Sequence, residues 1–223
     1  MLGHDLRSPL QSIQMTATYL SALNAGTEVS SAAARLINSG SRMKALLDDL
    51  VDFNRSKLGL GINIRPTSID AASVLTDEIN LLRAAHPTRQ LDLEVTGDTH
   101  GVWDGMRLRQ VVANLVVNAI KYGDEDTPIQ IVVRSDGGQL CFAVRNRGRA
   151  IERAAQKTIF EPLQPNLTRG TKDNSGSLGL GLHISRQIVE AHGGDMEVRS
   201  DATQTVFEVL LPRAPQHPRL SAT

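Results

Sequence analysis

The sequence predicts two unlike domains in one chain: an α-helical hairpin that forms a dimeric four-helix bundle, followed by an α+β sandwich, a mixed sheet with helices on one face. Three observations carry this. Apolar residues recur at helical spacing through residues 6–54. The stretch Leu58-Gly59-Leu60-Gly61 then breaks the pattern. Beyond it, short strand-like runs alternate with single helical ones, and hairpin turns join some strands directly, which an all-parallel sheet does not allow.

The first helix is read from Leu6, Leu10, Ile13, Ala17 and Leu20, spaced four and three apart along one face. Gly26 and its neighbours end it. The second runs through Val29, Ala33, Leu36, Gly40, Met43, Leu47, Leu50 and Asn54, the a and d positions of successive heptads. Two helices with so continuous a seam cannot bury both sides of it alone, so pairing with a second copy completes the bundle. A helical pair packed on the rest of its own chain is the alternative. The hairpin is assigned to residues 1–58, a hinge and first strand to 59–66, the second domain to 67–212 and a disordered tail to 213–223.

In the second domain "INIRP" reads as a strand, residues 69–84 as a helix and "LDLEV" as a strand, and Asp104 caps a helix that reaches Tyr122. "IQIVVRSDGGQLCFAV" reads as two strands joined at Asp136-Gly137-Gly138. Residues 180–191 read as a helix stopped by Gly193-Gly194, and "DMEVRS" and "TVFEVLL" as a closing strand pair.

Bulk composition excludes more than it proposes. Lys plus Arg and Asp plus Glu each total 24, so nothing in the balance asks for nucleic acid or a membrane surface. No stretch approaches the roughly 20 apolar residues of a membrane span, and no basic-then-apolar leader opens the chain. The single cysteine, Cys141, reads as a buried strand residue; with no partner for an intramolecular disulfide, the chain suits a reducing cytoplasm. No cluster of Cys and His has zinc-ligand spacing.

Two stretches carry chemistry. In "GSLGLGL", Gly176, Gly179 and Gly181 precede or open a helix that begins near Leu180, where backbone amides and the helix dipole suit an anion. It matches neither a P-loop nor a dinucleotide fingerprint, and a flexible loop explains it equally well. In "RLRQVVANLVVNAIKYG", Asn114 and Asn118 stand four apart and share a face, opposite an apolar side of Leu108, Val111, Val112, Leu115, Val116 and Ile120. An amide oxygen is a hard ligand fit for magnesium, which takes its other ligands from water and phosphate, and Lys121 lies where a cation meets phosphate. Two buried hydrogen-bonding amides are the plainer reading of the same pair.

With "HDLRSPL", "NLVVNAIKY", "NRGRAI", "IFEPL" and "GSLGLGL" in this order, the chain resembles the dimerisation and catalytic core of a bacterial sensor histidine kinase over about residues 1–212. These stretches resemble that family's H, N, G1, F and G2 boxes. The resemblance implies an ATP-binding second domain and two-component signalling. ATP and Mg2+ bind, His4 accepts the γ-phosphoryl group, and the phosphoryl group passes to an aspartate of a response-regulator receiver domain. Asp5 would orient the His4 imidazole, and Pro9 would bend the helix beside it. By the same resemblance Asn118 is the magnesium ligand, with Asn114 as a polar support. Lys121 contacts phosphate, Tyr122 packs along the adenine, and Gly176, Gly179 and Gly181, with Leu180 among them, close over the triphosphate. Phe160 anchors a lid over residues 161–177, in which Arg169 and Lys172 are either phosphate contacts or solvated charges.

Three departures from the family's pattern bear on these roles. The G1 stretch has Asn146, Gly148 and Ala150 where Asp-x-Gly-x-Gly is commonest; an asparagine oxygen can still accept from the adenine amino group. Ser8 stands where dephosphorylating members carry threonine or asparagine, which leaves phosphatase activity open. Only three residues precede His4, so the chain reads as a core without its sensor, with a first helix prone to fray at the reactive histidine. Two rivals follow: a degenerate scaffold that dimerises and binds regulators without phosphoryl transfer, and an ATPase of the gyrase type. His183 reads as a packing residue. His192, before the Gly-Gly stop, reads as a cation suited to a helix C-terminus.

Overall fold

The structure, a computed structural model, describes residues 2–23, 26–136, 138–162 and 179–214, with the side chains of 2–8 and 136 outside that description. The chain divides into two compact units, the first closing at Leu60 and the second opening at Gly61.

The first unit is a pair of helices, α1 (Leu2–Ala22) and α2 (Thr27–Lys57). Glu28 in the first turn of α2 and Arg55 and Lys57 in its last complement the helix dipole. The heptad seam splits between two destinations. Leu10 and Ala17 of α1 and Ala33 and Gly40 of α2 are buried within the hairpin. The intervening positions are not: Ile13 is 49% exposed, Leu36 46%, Met43 52% and Leu50 40%. Small residues set the closeness of the inner contact. A Cβ on Gly40 would stand 2.8 Å from Cγ of Gln14, whose amide donates to Ser41 Oγ at 3.3 Å. At the end of α2, Gly59 N–H bonds Ser56 O and Leu60 N–H bonds Arg55 O, the paired closure of a Schellman cap. It needs a left-handed residue at its centre, and Gly59 supplies φ +71°.

The second unit is a helix-on-sheet sandwich. Five strands run in the order β2 (Leu91–Thr96), β4 (Ile129–Asp136), β5 (Gln139–Asn146), β7 (Thr205–Pro212), β6 (Asp195–Ser200). The β2–β4 pair is parallel and every other pair antiparallel, so the sheet is mixed. Helices α3 (Ala71–Ala85), α4 (Gly105–Tyr122) and α6 (Gly181–Ala191) form the covering layer. The core between them is fully buried: Leu75 and Ile79 of α3, Leu108, Val111 and Leu115 of α4, and Ile184 and Ile188 of α6 meet Ile131, Val133, Phe142, Val209 and Leu211 of the sheet. Trp103, also wholly buried, satisfies its indole N–H on Pro212 O at 2.9 Å.

Several elements differ from the sequence reading. Residues 62–66 form no strand; β1 is Thr67–Asp70, paired antiparallel with β3 (His100–Trp103), a strand the sequence reading missed. The Arg65 N–H is taken by the Asp104 carboxylate at 2.8 Å, and Pro66 has no N–H to give a ladder. Helix α3 starts at Ala71, not Ile69, because Asp70 caps it by accepting from Ala72 N. A short helix, α5 (Arg153–Thr158), lies in what reads as loop. The predicted tail falls outside the described residues from 215 onward. Among the described residues no helix is long and apolar enough to cross a membrane.

Candidate functional site

Helix α4 is aimed by its two ends. Its N-cap, Asp104, accepts from Met106 N at 3.1 Å and Arg107 N at 3.2 Å. Its apolar face, from Leu108 to Ala119, is buried against the sheet and α3. That burial fixes the helix rotation and leaves Asn118 and Tyr122 half-buried at its C-terminal end, where β5 finishes with Asn146.

These three residues share a cleft of about 290 Å³. Its polar lining adds Thr205, Arg149 and Glu152; its apolar lining is Ala150, Ile151, Ala155, Ile159 and Phe207. An apolar slot with a few convergent polar atoms suits a flat heterocycle whose edge is read by hydrogen bonds.

Asn146 is 7% exposed, and its Nδ2 donates to Arg147 O at 3.1 Å. A carbonyl can only accept, so the amide orientation is fixed and Oδ1 is the atom left to accept from a ligand. The backbone around it is drawn tight. Asp124 N–H bonds Arg147 O at 2.8 Å, and Gly123 and Gly148 form an isolated antiparallel bridge. A Cβ on Gly148 would lie 2.6 Å from Tyr122 O, and one on Gly123 would strike Ala119 O. Gly148 therefore brings the exit of β5 against the end of α4, and does not itself line the cleft.

The two amides of α4 part company. Asn114 turns to α6, where Nδ2 donates to Gly181 O at 3.1 Å and Ser185 Oγ at 3.2 Å. It ties two helices together, while Asn118 faces the cleft. Lys121 also stays outside the lining, its ammonium 5.0 Å from the Tyr122 ring centroid. Gly179 has φ +67°, and Leu180, 2% exposed, occupies the N-cap position of α6. Phe160 is buried edge-on to Phe207 at 6.4 Å, with the Arg186 guanidinium 5.1 Å over its ring and His183 Nδ1 3.0 Å from its carbonyl oxygen. His183 is thus a hydrogen-bonding anchor for the Phe160 backbone, more than packing.

His192 is not the cation expected at a helix C-terminus. It is 6% exposed, its Nδ1 lies 2.8 Å from Ile188 O, and its Nε2 accepts the Asp104 N–H at 3.0 Å. Burial pushes its pKa below the ordinary 6.5 and holds it neutral.

His4, Asp5 and Ser8 have their backbone within α1, but their side chains lie outside the described residues, as do Gly176, Arg169, Lys172 and the lid from residue 163 to 177. The sequence reading missed Thr205, Phe207, Ile151 and Ile159. Thr205 pairs with Asn146 across β5 and β7 and is buried, its hydroxyl 2.7 Å from Ser200 Oγ. Only the alternation of β7 hinted that it points inward.

Comparison with known proteins also assigns the two units to different families. Residues 1–59 match the His Kinase A (phospho-acceptor) domain, and residues 103–215 match the histidine kinase-, DNA gyrase B-, and HSP90-like ATPase. The chain belongs to the sensor histidine kinases. Among relatives, a bacteriophytochrome of Pseudomonas aeruginosa is 31% identical over 95% of this chain and 29% of its own length. The circadian input-output histidine kinase CikA of Synechococcus elongatus is 30% identical over 95% of this chain and 29% of its own. This histidine kinase chain therefore spans under a third of either relative. Of solved structures, full-length ShkA in complex with AMPPNP aligns at TM-score 0.72 and 27% identity, over 99% of this chain and 46% of that one. The catalytic domain of histidine kinase ThkA aligns at TM-score 0.60 and 26% identity, over 68% of this chain and 97% of that one.

Proposed function

We infer that this chain is the ATP-dependent autokinase core of a two-component system, phosphorylating His4 and passing the phosphoryl group to an aspartate of a response-regulator receiver domain. The observation that carries the reading is the convergence of Asn118, Tyr122 and Asn146 on one cleft, in a chain whose first 59 residues match a phospho-acceptor domain. That match also separates the kinase from an ATPase of the gyrase type. The solved relative with AMPPNP supports a nucleotide as occupant.

Each residue's part follows from its chemistry. Asn146 Oδ1 accepts from the adenine amino group, since the bond from Nδ2 to Arg147 O fixes the amide orientation and leaves Oδ1 open. Tyr122 and the apolar wall of Ile151, Ile159 and Phe207 enclose the purine. Asn118 offers the amide oxygen that would hold Mg2+, an ion that keeps several waters and takes further ligands from substrate phosphates. When bound, the ion supplies charge neutralisation to the triphosphate. Leu180, Gly181 and the start of α6 present backbone amides to phosphate, while Asn114 fixes that start against α4. A neutral His4 imidazole nitrogen attacks the γ-phosphorus in line. The N–P bond forms as the P–O bond to ADP breaks, and Asp5 steadies the opposite ring N–H. The half of the heptad seam left exposed on the hairpin supports a homodimer.

The test is incubation with γ-labelled ATP and magnesium, wild type beside His4→Gln and Asn118→Ala. Acid-labile, alkali-stable label that both variants abolish is the expected result. Nucleotide binding without label would favour a dimerising scaffold instead.

A further inference from the structure

The C-terminal end of α6 lies far along the chain from Asn118, yet it is bonded to the N-cap of the helix that carries that residue. His192 makes the connection. Asp104 N–H is an obligate donor and Ile188 O an obligate acceptor, so the two bonds together require a proton on Nδ1 and a lone pair on Nε2. A second tie joins the same two helices: Asn114, mid-helix in α4, bonds Gly181 O and Ser185 Oγ at the opposite end of α6. Helix α6 is thus tied to α4 at both of its own ends, one rung at the glycine start and the other at His192. The turn after His192 is closed just as firmly, since a Cβ on Gly194 would strike Leu210 O of β7.

We propose that His192 is a positioning residue for nucleotide binding, acting through α4 and α6: its double hydrogen bond keeps the Asn118 helix in register with the Leu180–Gly181 start that receives phosphate. This rests on the ATP reading above. Protonation of Nε2 would set a donor against the Asp104 N–H and break the rung, leaving a buried N–H without an acceptor. The charges that bear on the imidazole are both on α4, Asp104 favouring the protonated form and Arg107 opposing it, with burial opposing it most. By reciprocity, if the unprotonated bridge favours nucleotide binding, bound nucleotide must favour the unprotonated bridge.

The experiment is an NMR titration of the imidazole nitrogens of His192 in the whole chain, with and without a saturating non-hydrolysable ATP analogue and magnesium. The free protein should hold the Nδ1–H form, and the analogue should lower the titration midpoint by about one unit, a tenfold linkage. His192→Phe should weaken analogue binding about tenfold. His192→Gln, whose Oε1 can accept the Asp104 N–H without titrating, should restore binding and lose less affinity in acid than the wild type does. A midpoint that stays put while the Tyr122 resonances report the analogue bound overturns the role of His192 alone. No binding to the wild type overturns the ATP reading, and the role of His192 with it.

Discussion

At the scale of single residues, the site depends on atoms whose partners are already chosen. Asn146 is the clearest. A free asparagine could present either end of its amide to a ligand, but the bond to Arg147 O takes one of the two N–H donors, fixes the amide orientation and leaves Oδ1 as an open acceptor. The cleft should therefore prefer adenine, which offers an amino group there, over guanine, which offers a carbonyl. Asn146→Ala should weaken ATP binding about tenfold, the worth of one hydrogen bond at a buried site, and narrow the preference for ATP over GTP; calorimetric titration with both nucleotides measures it. His192 gives the second prediction. Its folded-state pKa lies below the ordinary 6.5, so the unfolded chain takes up the proton first on acidification. Its stabilising contribution is complete above about pH 6.5 and is lost as pH falls towards the folded-state value. Thermal melts between pH 7.5 and 5 should fall more steeply for the wild type than for His192→Gln, and parallel curves would count against the assignment.

At the scale of elements, the hairpin and the α4–β5 junction show what pattern predicts and what it leaves open. The heptads of α2 were legible because a and d positions repeat, but the pattern does not say which half faces α1. The structure divides them: Ala33 and Gly40 inward, Leu36, Met43 and Leu50 outward. A charge at an outward position should leave the hairpin folded and open the bundle. Leu36→Asp with Met43→Asp should convert a dimer to a monomer in sedimentation while helical circular dichroism persists; an unchanged dimer would place the interface elsewhere. At the junction, Gly148 permits an approach that any Cβ obstructs, and Tyr122 O is backbone that cannot swing away. Gly148→Ala should cost about 1–3 kcal/mol of stability, read from denaturant melts, and lower ATP affinity by displacing Asn146. Elements that the sequence reading missed, β3 and α5, are four and six residues long, too short for periodicity to stand out.

At the scale of the whole molecule, two units with separate cores imply two separable activities. The second unit buries a complete helix-on-sheet core of its own, and its Trp103 and Pro212 close it from within. Residues 61–214 expressed alone should bind ATP without labelling themselves, and adding residues 1–60 as a separate piece should restore label on His4. Label on the second unit by itself would refute the assignment of His4 as acceptor.

What the sequence by itself determined is everything written in local spacing. Heptads, the Asp104 cap, the hairpin turn at 136–138 and the Gly-Gly stop each depend on residues a few positions apart, so the helices, most strands and the order of the five boxes could be read directly. Asn118, Tyr122 and Asn146 were legible for the same reason, as members of compact motifs. Only the tertiary structure decided which residues meet across long separations. It set Thr205 beside Asn146 through the register of β5 and β7, turned Asn114 to α6 and Asn118 to the cleft, and took His192 from a helix-end cation to a neutral bridge onto Asp104. The physical reason is burial: once the apolar faces of α4 and α6 close on the sheet, each polar group left inside must find a partner, and which partner is nearest is a property of the packed fold.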